Sequence, residues 1–293
     1  MSVSLLMTLM THIAIDSQNA AMQQAWDKAA AGWNSEAALI HTWLAQPTAL
    51  MLEAANIQPG ARVLDVAAGA GDQTLDIARR VGPAGQVLAT DLSARILEFA
   101  EQNAQREGFL NIETAVANAQ ELDLHRPPFD AAVCRLGLMF CDDPKAALRA
   151  VHQSLKPQAR FAALVFSGAA HNPCIAIMMQ TALKHAGLPA AKPDTPGGLL
   201  SLGGPGVIEQ LFVQAGFGDV QTVRLPAPMR LPSVQRYVDF VRSSGSPIID
   251  ILHRLAPAAR DAAWADMARQ LSRFSTPTGW EGPNQLLLCS GQA

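Results

Sequence analysis

The sequence predicts an α/β protein built on a doubly wound, mostly parallel sheet. Between Pro59 and about Phe166, short β-rich runs alternate with helical runs. Those β-rich runs are continuously apolar, a pattern that suits strands covered on both faces rather than half-exposed ones. The first of them leads straight into a crowd of small residues and then a helical pattern, "VLDVAAGAGDQTLDIA", Val63 to Ala78. In open α/β sheets a turn of this kind sits at the carboxyl edge, where ligands bind.

Composition limits the class. The 293 residues suffice for one large domain or a core with a smaller cap, and 49% hydrophobic with 16% charged residues is the balance of a soluble globular chain. Lys plus Arg number 22 against 25 Asp plus Glu, so no basic excess points to nucleic acid or to an anionic membrane. A small-molecule partner is expected. Cys134, Cys141, Cys174 and Cys289 lie far apart, with no C-x-x-C pair and no histidine spacing suited to zinc. The simplest reading is a reduced, cytoplasmic protein without a metal.

Residues 1–16 open with "MSVSLLMTLMTHIAI", which lacks a basic leader and a clear cleavage site and is too short to span a bilayer. They read as an N-terminal extension. Residues 17–57 are helical in pattern and carry Trp26, Trp33 and Trp43. Residues 58–166 form the core, with strands at "RVLDVA", "QVLATD", "NIETAV", "FDAAVCRL" and "RFAALVF", and helices after "GDQT", "DLSA" and "DDPK". One helix shows the local logic: Asp143 caps it, Pro144 suits its first position, and Leu148, Val151 and Leu155 recur on one face before "LKP".

Residues 167–293 complete the core with two more strands, "DVQTVRL" and "NQLLLCS". Between them a long helical stretch, Ser233 to Phe274, is an insertion. With residues 17–57 it is expected to form a helical cap over the sheet's carboxyl edge. Pro189 to Gly206 reads as a loop.

The small-residue turn discriminates among cofactors. Gly69-Ala70-Gly71 is followed by Asp72-Gln73-Thr74, so the third glycine of a dinucleotide fingerprint is missing, and no lysine is present for a phosphate loop. Asp65 ends the first strand, where a carboxylate repels a pyrophosphate and attracts an ammonium group. Asp91 ends the second strand, where an acid accepts both ribose hydroxyls. Asn118 and Ala119, after the third strand, suit an adenine edge. An amine, a ribose and an adenine without phosphates describe S-adenosylmethionine. Each position has a plainer alternative: Asp65 as a structural carboxylate, Asp91 as a helix cap, Asn118 as a turn residue.

Through "VLDVAAGAGD", "VLATDLSARILEFA", "NAQEL", "FDAAVCRLGLMFCDDPKAAL" and "LKPQARFAALVF" the chain resembles the class I S-adenosylmethionine-dependent methyltransferases. Within them it is similar to the branch of ubiquinone and menaquinone biosynthesis methyltransferases, more loosely so through "HNP" and "SLGGPGVIEQLFVQAGF". The resemblance implies a Rossmann-like sheet, S-adenosylmethionine as cofactor and S-adenosylhomocysteine as product. It implies that Asp65 binds the methionine part, that Ala67, Gly69 and Gly71 approach it closely, that Asp91 binds ribose, and that Asn118 and Ala119 hold adenine with Leu92 on its face. Ala67 stands where the fullest motif has a glycine, Asn118 where an aspartate is commoner, and Gln158-Ala159 where two glycines are usual.

The acceptor side is less legible. His41 and His171 are candidate general bases, each with a packed or surface role as the alternative. Arg135, ending the fourth strand, is grouped with the cofactor residues; it either orients an acidic group or pairs with a carboxylate. Trp26, Trp33, Met139, His171 and Asn172 are candidates for an apolar acceptor pocket, as are Met178 and Met179, and at helical spacing the alternative for the tryptophans and methionines is core. The expected activity is methyl transfer to oxygen, carbon or nitrogen of a small, apolar, ring-containing metabolite, quinone-like or phenolic. Its competitors are a cofactor-binding protein without transfer, a nucleotide-dependent oxidoreductase, and a methyltransferase for protein or RNA. A homodimer is compatible with the reading.

Overall fold

The structure is a computed structural model and describes residues 20–122, 126–190, 192, 195, 197–244 and 246–293. The extension expected at residues 1–16 and the start of the N-terminal helical segment lie outside the described residues.

Helix α1 spans residues 20–35. There follow α2 (Ala37–Ala54), β1 (Arg62–Val66), α3 (Asp72–Val81), β2 (Gln86–Asp91), α4 (Ala94–Arg106), β3 (Ile112–Val116), β4 (Phe129–Arg135), α5 (Pro144–Ser154) and β5 (Leu155–Phe166). The second half comprises α6 (Pro173–His185), α7 (Val207–Ala215), β6 (Gly218–Pro226), β7 (Met229–Leu231), α8 (Val234–Ser244), α9 (Ser246–His253), α10 (Pro257–Leu271), β8 (Ser275–Thr276), β9 (Gly279–Gly282) and β10 (Gln285–Gln292).

Seven strands form the main sheet in the order β3-β2-β1-β4-β5-β10-β6. The first five run parallel, and β10 runs antiparallel to both β5 and β6. This is the mostly parallel, doubly wound sheet that the apolar strands predict. Burial on both faces explains the strand composition: Val63, Leu64, Ala132, Val133, Ala162 and Ala163 are all fully buried. Strand order reverses between β1 and β4, so a crevice opens beyond their carboxyl ends.

Local signals account for the helix starts. Ser93 Oγ accepts from the Ile96 amide at 3.1 Å and caps α4. Asp143 accepts from the Ala146 amide at 2.9 Å and caps α5, with Pro144 in its first turn. The far end of α5 departs from expectation. Leu155, read as a helical position, is extended, opens β5 and pairs with Phe129.

The helical insertion between β6 and β10 also contains strands that the sequence reading did not contain. A small sheet of order β7-β9-β8 joins α6, α8, α9 and α10 in a second apolar core. At its centre the buried Trp280 stacks on Tyr237 at 4.6 Å and donates Nε1–H to the Leu271 carbonyl at 2.8 Å. Met178 is buried in this core and Met179 packs against it, whereas Met139 is buried in the main core. The placement of these methionines in an acceptor pocket is therefore corrected: Met139 and Met178 are core, and Met179 is half-buried against it. Among the described residues no helix is long and apolar enough to cross a membrane.

Helix α1 bridges the two cores. On the sheet side, Asp27 accepts from Ser93 Oγ and the Arg95 amide, and Asn103 Nδ2 donates to Asn34 Oδ1 at 3.1 Å and to the Ala70 carbonyl at 2.9 Å. On the other side, Glu36, the residue between α1 and α2, accepts from the Arg236 guanidinium and from Ser243 Oγ. Gly32 passes so close to α8 that a Cβ there would lie 1.7 Å from the Ser243 carbonyl oxygen. Backbone cannot yield as a flexible side chain does. Gly32→Ala is therefore expected to lower the unfolding free energy by roughly 1–3 kcal/mol, the usual cost of overpacking. Limited proteolysis should then cut within residues 20–35 faster than in the wild type; equal midpoints and equal cutting rates would show that α1 does not depend on this contact.

Candidate cofactor site

The turn after β1 is held open by backbone conformations that few side chains adopt. Ala67 has φ 56°, Gly69 59° and Gly71 87°. For the glycines this costs little, but for Ala67 it stores strain on the order of 1–2 kcal/mol. At Gly71 a Cβ would lie 3.1 Å from the Ala100 Cα, so its small size serves the packing of the turn on α4. The turn is then pinned to β2: the Ala68 amide donates to the Thr90 carbonyl at 2.9 Å, and the Gly69 amide donates to Asp91 Oδ2 at 3.0 Å. Asp91 Oδ1 accepts from the Ser93 amide, also at 3.0 Å. Burial pushes the Asp91 carboxyl above the ordinary range, opposed by these amides.

A cavity lies in the crevice at this edge, and Ala67, Gly69, Asp91, Leu92, Asn118 and Ala119 all stand in its wall. Arg135 stands there too, its guanidinium bonded to both Asp72 oxygens at 2.6 and 2.7 Å and to Thr48 Oγ1 of α2 at 3.0 Å. Of the two readings offered for Arg135, pairing with a carboxylate is the one seen here. Asn118 Oδ1 accepts from the Gln120 amide at 3.0 Å, so its turn role is present alongside its place in the wall.

Trp26 and Trp33 of α1 form part of the cavity's roof with Phe140, the Trp26 and Phe140 rings meeting edge-on at 4.9 Å. Trp33 Nε1 is buried and has no hydrogen-bond partner among the described residues. Cys134 and Cys141 border the cavity as neutral thiols, because burial pushes both up, Cys141 to about 12.

Other predicted residues are placed elsewhere. Asp65 is fully buried beneath the turn, outside the cavity wall, and both its oxygens are taken, one by Gln73 Nε2 and one by Thr74 Oγ1 at 2.7 Å. Gly71 likewise lies outside the wall. His41 points to α3 and meets Asp76 at 3.2 Å. His171 is exposed at the end of a short 3-10 turn. Asn172 is buried but structural: Nδ2 donates to the Ser167 carbonyl at 2.9 Å and Oδ1 accepts from the Gln285 amide at 3.1 Å, clamping β5 to β10. Neither histidine nor Asn172 stands in the cavity wall. Among the described residues no three His, Cys, Asp or Glu side chains gather to hold a metal ion.

Residues that sequence reading missed include Asp72, Gln73, Phe140 and Asp142 of the wall. Asp72 was findable, being adjacent to the turn. The others needed the fold.

The wall fits a ligand with a ribose and a cationic centre and does not fit polyphosphate. Among the described residues its charged side chains are Asp72, Asp91, Asp142 and Arg135, and Arg135 is paired with Asp72. A carboxylate bonded once at each oxygen keeps acceptor capacity for hydroxyls. Leu92, Ile96 and Ala119 supply an apolar slot beside it.

Comparison with known proteins bears out the fold and gives a family match for part of the chain. Phosphoethanolamine N-methyltransferase 2 of Haemonchus contortus, solved with S-adenosylmethionine, superposes with a TM-score of 0.53 at 16% identity, covering 88% of this chain and 57% of that one. The chain shares the fold of that methyltransferase. Its residues 40–185 match the ubiE/COQ5 methyltransferase family. Curated relatives include the ubiquinone/menaquinone biosynthesis C-methyltransferase of Teredinibacter turnerae, 38% identical over 117 residues, which are 40% of this chain and 47% of the relative. The 2-phytyl-1,4-naphtoquinone methyltransferase of a Nostoc species is 42% identical over 110 residues, 37% of this chain and 48% of the relative. The chain thus spans about half the length of the curated relatives it matches.

The buried Asp65 makes stability depend on pH. Burial raises its carboxyl to about 7 from an ordinary 3.8, against the hydrogen bonds of Thr74 and Gln73. Between those two values the folded chain holds a proton that the unfolded chain has released, so stability falls as pH rises from about 4 to about 7. The total is on the order of 4 kcal/mol. Asp65→Asn is expected to remove this component, so urea unfolding of wild type and variant should diverge through that window; parallel curves would contradict the assignment.

Proposed function

We propose that the chain transfers a methyl group from S-adenosylmethionine to oxygen, carbon or nitrogen of a small, apolar, ring-containing acceptor, quinone-like or phenolic. The observation that carries this reading is the crevice itself: Asp91 at the end of β2, beside an apolar slot, with Arg135 paired to Asp72 and with tryptophans as roof. Asp91 accepts the ribose hydroxyls, Leu92 and Ala119 flank the adenine, and Asn118 meets its edge. The quinone-related names of the relatives support the acceptor class.

The cofactor supplies a methyl group already activated on a sulfonium, so the protein's task is placement and exclusion of water. Trp26, Trp33 and Phe140 close the apolar side against solvent. Among the described residues the titratable groups of the wall are Asp72, Asp91, Asp142, Arg135, Cys134 and Cys141, so a carboxylate or water is the proton acceptor they offer. A wall whose described residues include Asp72, Asp91 and Asp142, with Arg135 paired to Asp72, suits a small acceptor better than a nucleic acid.

The test is thermal denaturation with S-adenosylmethionine, S-adenosylhomocysteine and NAD in turn. At a hundredfold excess over the dissociation constant, the two adenosyl compounds are expected to raise the wild-type midpoint on the order of 5–10 °C. NAD should not, and Asp91→Ala should lose the effect. Stabilisation by NAD alone would overturn the reading, and binding without turnover on any quinone or phenol would leave a cofactor-binding protein.

A further inference from the structure

A second pocket lies in the helical insertion, where α8, α9 and α10 meet, and shares no lining residue with the cofactor cavity. Its floor is apolar: Leu252 and Trp264 are buried and Ile249 is half-buried. Around that floor stand Arg242 of α8, His253 of α9, and Arg260 with Asp261 of α10. Three helices thus bring nitrogen donors to one apolar hollow.

The two arginines differ from others of the same insertion in what they bond. Arg230 pairs with Glu281, Arg236 with Glu36 and Arg269 with Asp266. Among the described residues no carboxylate pairs with Arg242 or Arg260, although Asp261 lines the same pocket. The Arg242 guanidinium is instead laid over the Trp264 ring, 4.9 Å from its centroid. Stacking of this kind positions the planar group and leaves its edge N–H donors for a ligand.

Two guanidinium groups on different helices exceed what a carboxylate needs, since one arginine satisfies its single fork. They suit an oxyanion that offers oxygens in several directions. We propose that this pocket binds a phosphate ester, with Arg242 and Arg260 on the phosphoryl oxygens, His253 donating at the rim and the ester's apolar body on Leu252 and Trp264. Inorganic phosphate would leave the apolar floor uncovered, and a neutral hydrocarbon would leave two cations unpaired. Asp261 opposes the anion's charge, so the apolar contact has to supply part of the affinity. The pocket holds its ligand whether or not the cofactor cavity is filled.

The experiment measures binding of phenyl phosphate, inorganic phosphate and phenol to the full chain by calorimetry, at constant ionic strength. It compares wild type with Arg242→Gln, Arg260→Gln and Asp261→Asn, each first checked for a cooperative melt. Wild type should bind phenyl phosphate saturably and more tightly than either inorganic phosphate or phenol. Each arginine variant is expected to weaken phenyl phosphate about 10- to 100-fold, the loss of a charge-assisted contact. Asp261→Asn should tighten it, a gain that a damaged fold would not produce. Sedimentation with phosphatidylcholine vesicles, with and without phosphatidic acid, separates a soluble ester from a lipid headgroup. Recovery only with phosphatidic acid, lost in both arginine variants and without binding of phenyl phosphate, would assign the pocket to a headgroup. Equal affinities in wild type and both arginine variants would overturn the proposal, as would the absence of saturable binding to ester and vesicle alike. Displacement of phenyl phosphate by S-adenosylhomocysteine would also overturn it, by placing the ester in the cofactor cavity.

Discussion

The carboxylate of Asp91 is the constraint on which the ligand edge depends. One oxygen receives the Gly69 amide and the other the Ser93 amide, so a single side chain joins the turn after β1 to the start of α4. Ser93 in turn caps α4 and donates to Asp27 of α1. The turn, the helix behind it and the helix above it thus share one anchor. An acid at this position is costly, since burial disfavours its charge, and the amides that offset the cost are the same ones that shape the cavity.

The sheet around this anchor was legible in the sequence because its physics is local. Two-sided burial writes itself as uninterrupted apolar runs, and Asp143 and Ser93 cap helices by bonds three residues long. Where competing signals act over distance, the reading failed. The strands at Ser275–Thr276 and Gly279–Gly282 are too short to show alternation and are rich in turn residues. Met178 and Met179 lie on a helix apolar on more than one side, and no periodicity says which apolar neighbour a face will meet.

The candidate site divides in the same way. Gly69, Asp91, Leu92, Asn118 and Ala119 were found because each sits at the end of a recognisable strand or in the turn that follows it. Asp65 shares that position, yet its placement is decided by Gln73 and Thr74, eight and nine residues on, which fold back from α3 to occupy it. His41 has a partner 35 residues away in Asp76, and His171 falls on an exposed turn after β5. None of these pairings has a signature in linear spacing.

The contacts of α1 bear on the order in which the molecule assembles. Glu36, which directly follows α1, reaches Arg236 across 200 residues, and Ser243 across 207. Strands β1 to β5, by contrast, pair with one another at separations of no more than 68 residues. During synthesis from the N-terminus the parallel strands and their binding turn can therefore be in place while α8 has yet to emerge, leaving α1 without its second support. The tryptophan-bearing roof is the last part of the site to be secured, and a nascent chain halted before α8 would carry a shaped but unroofed crevice.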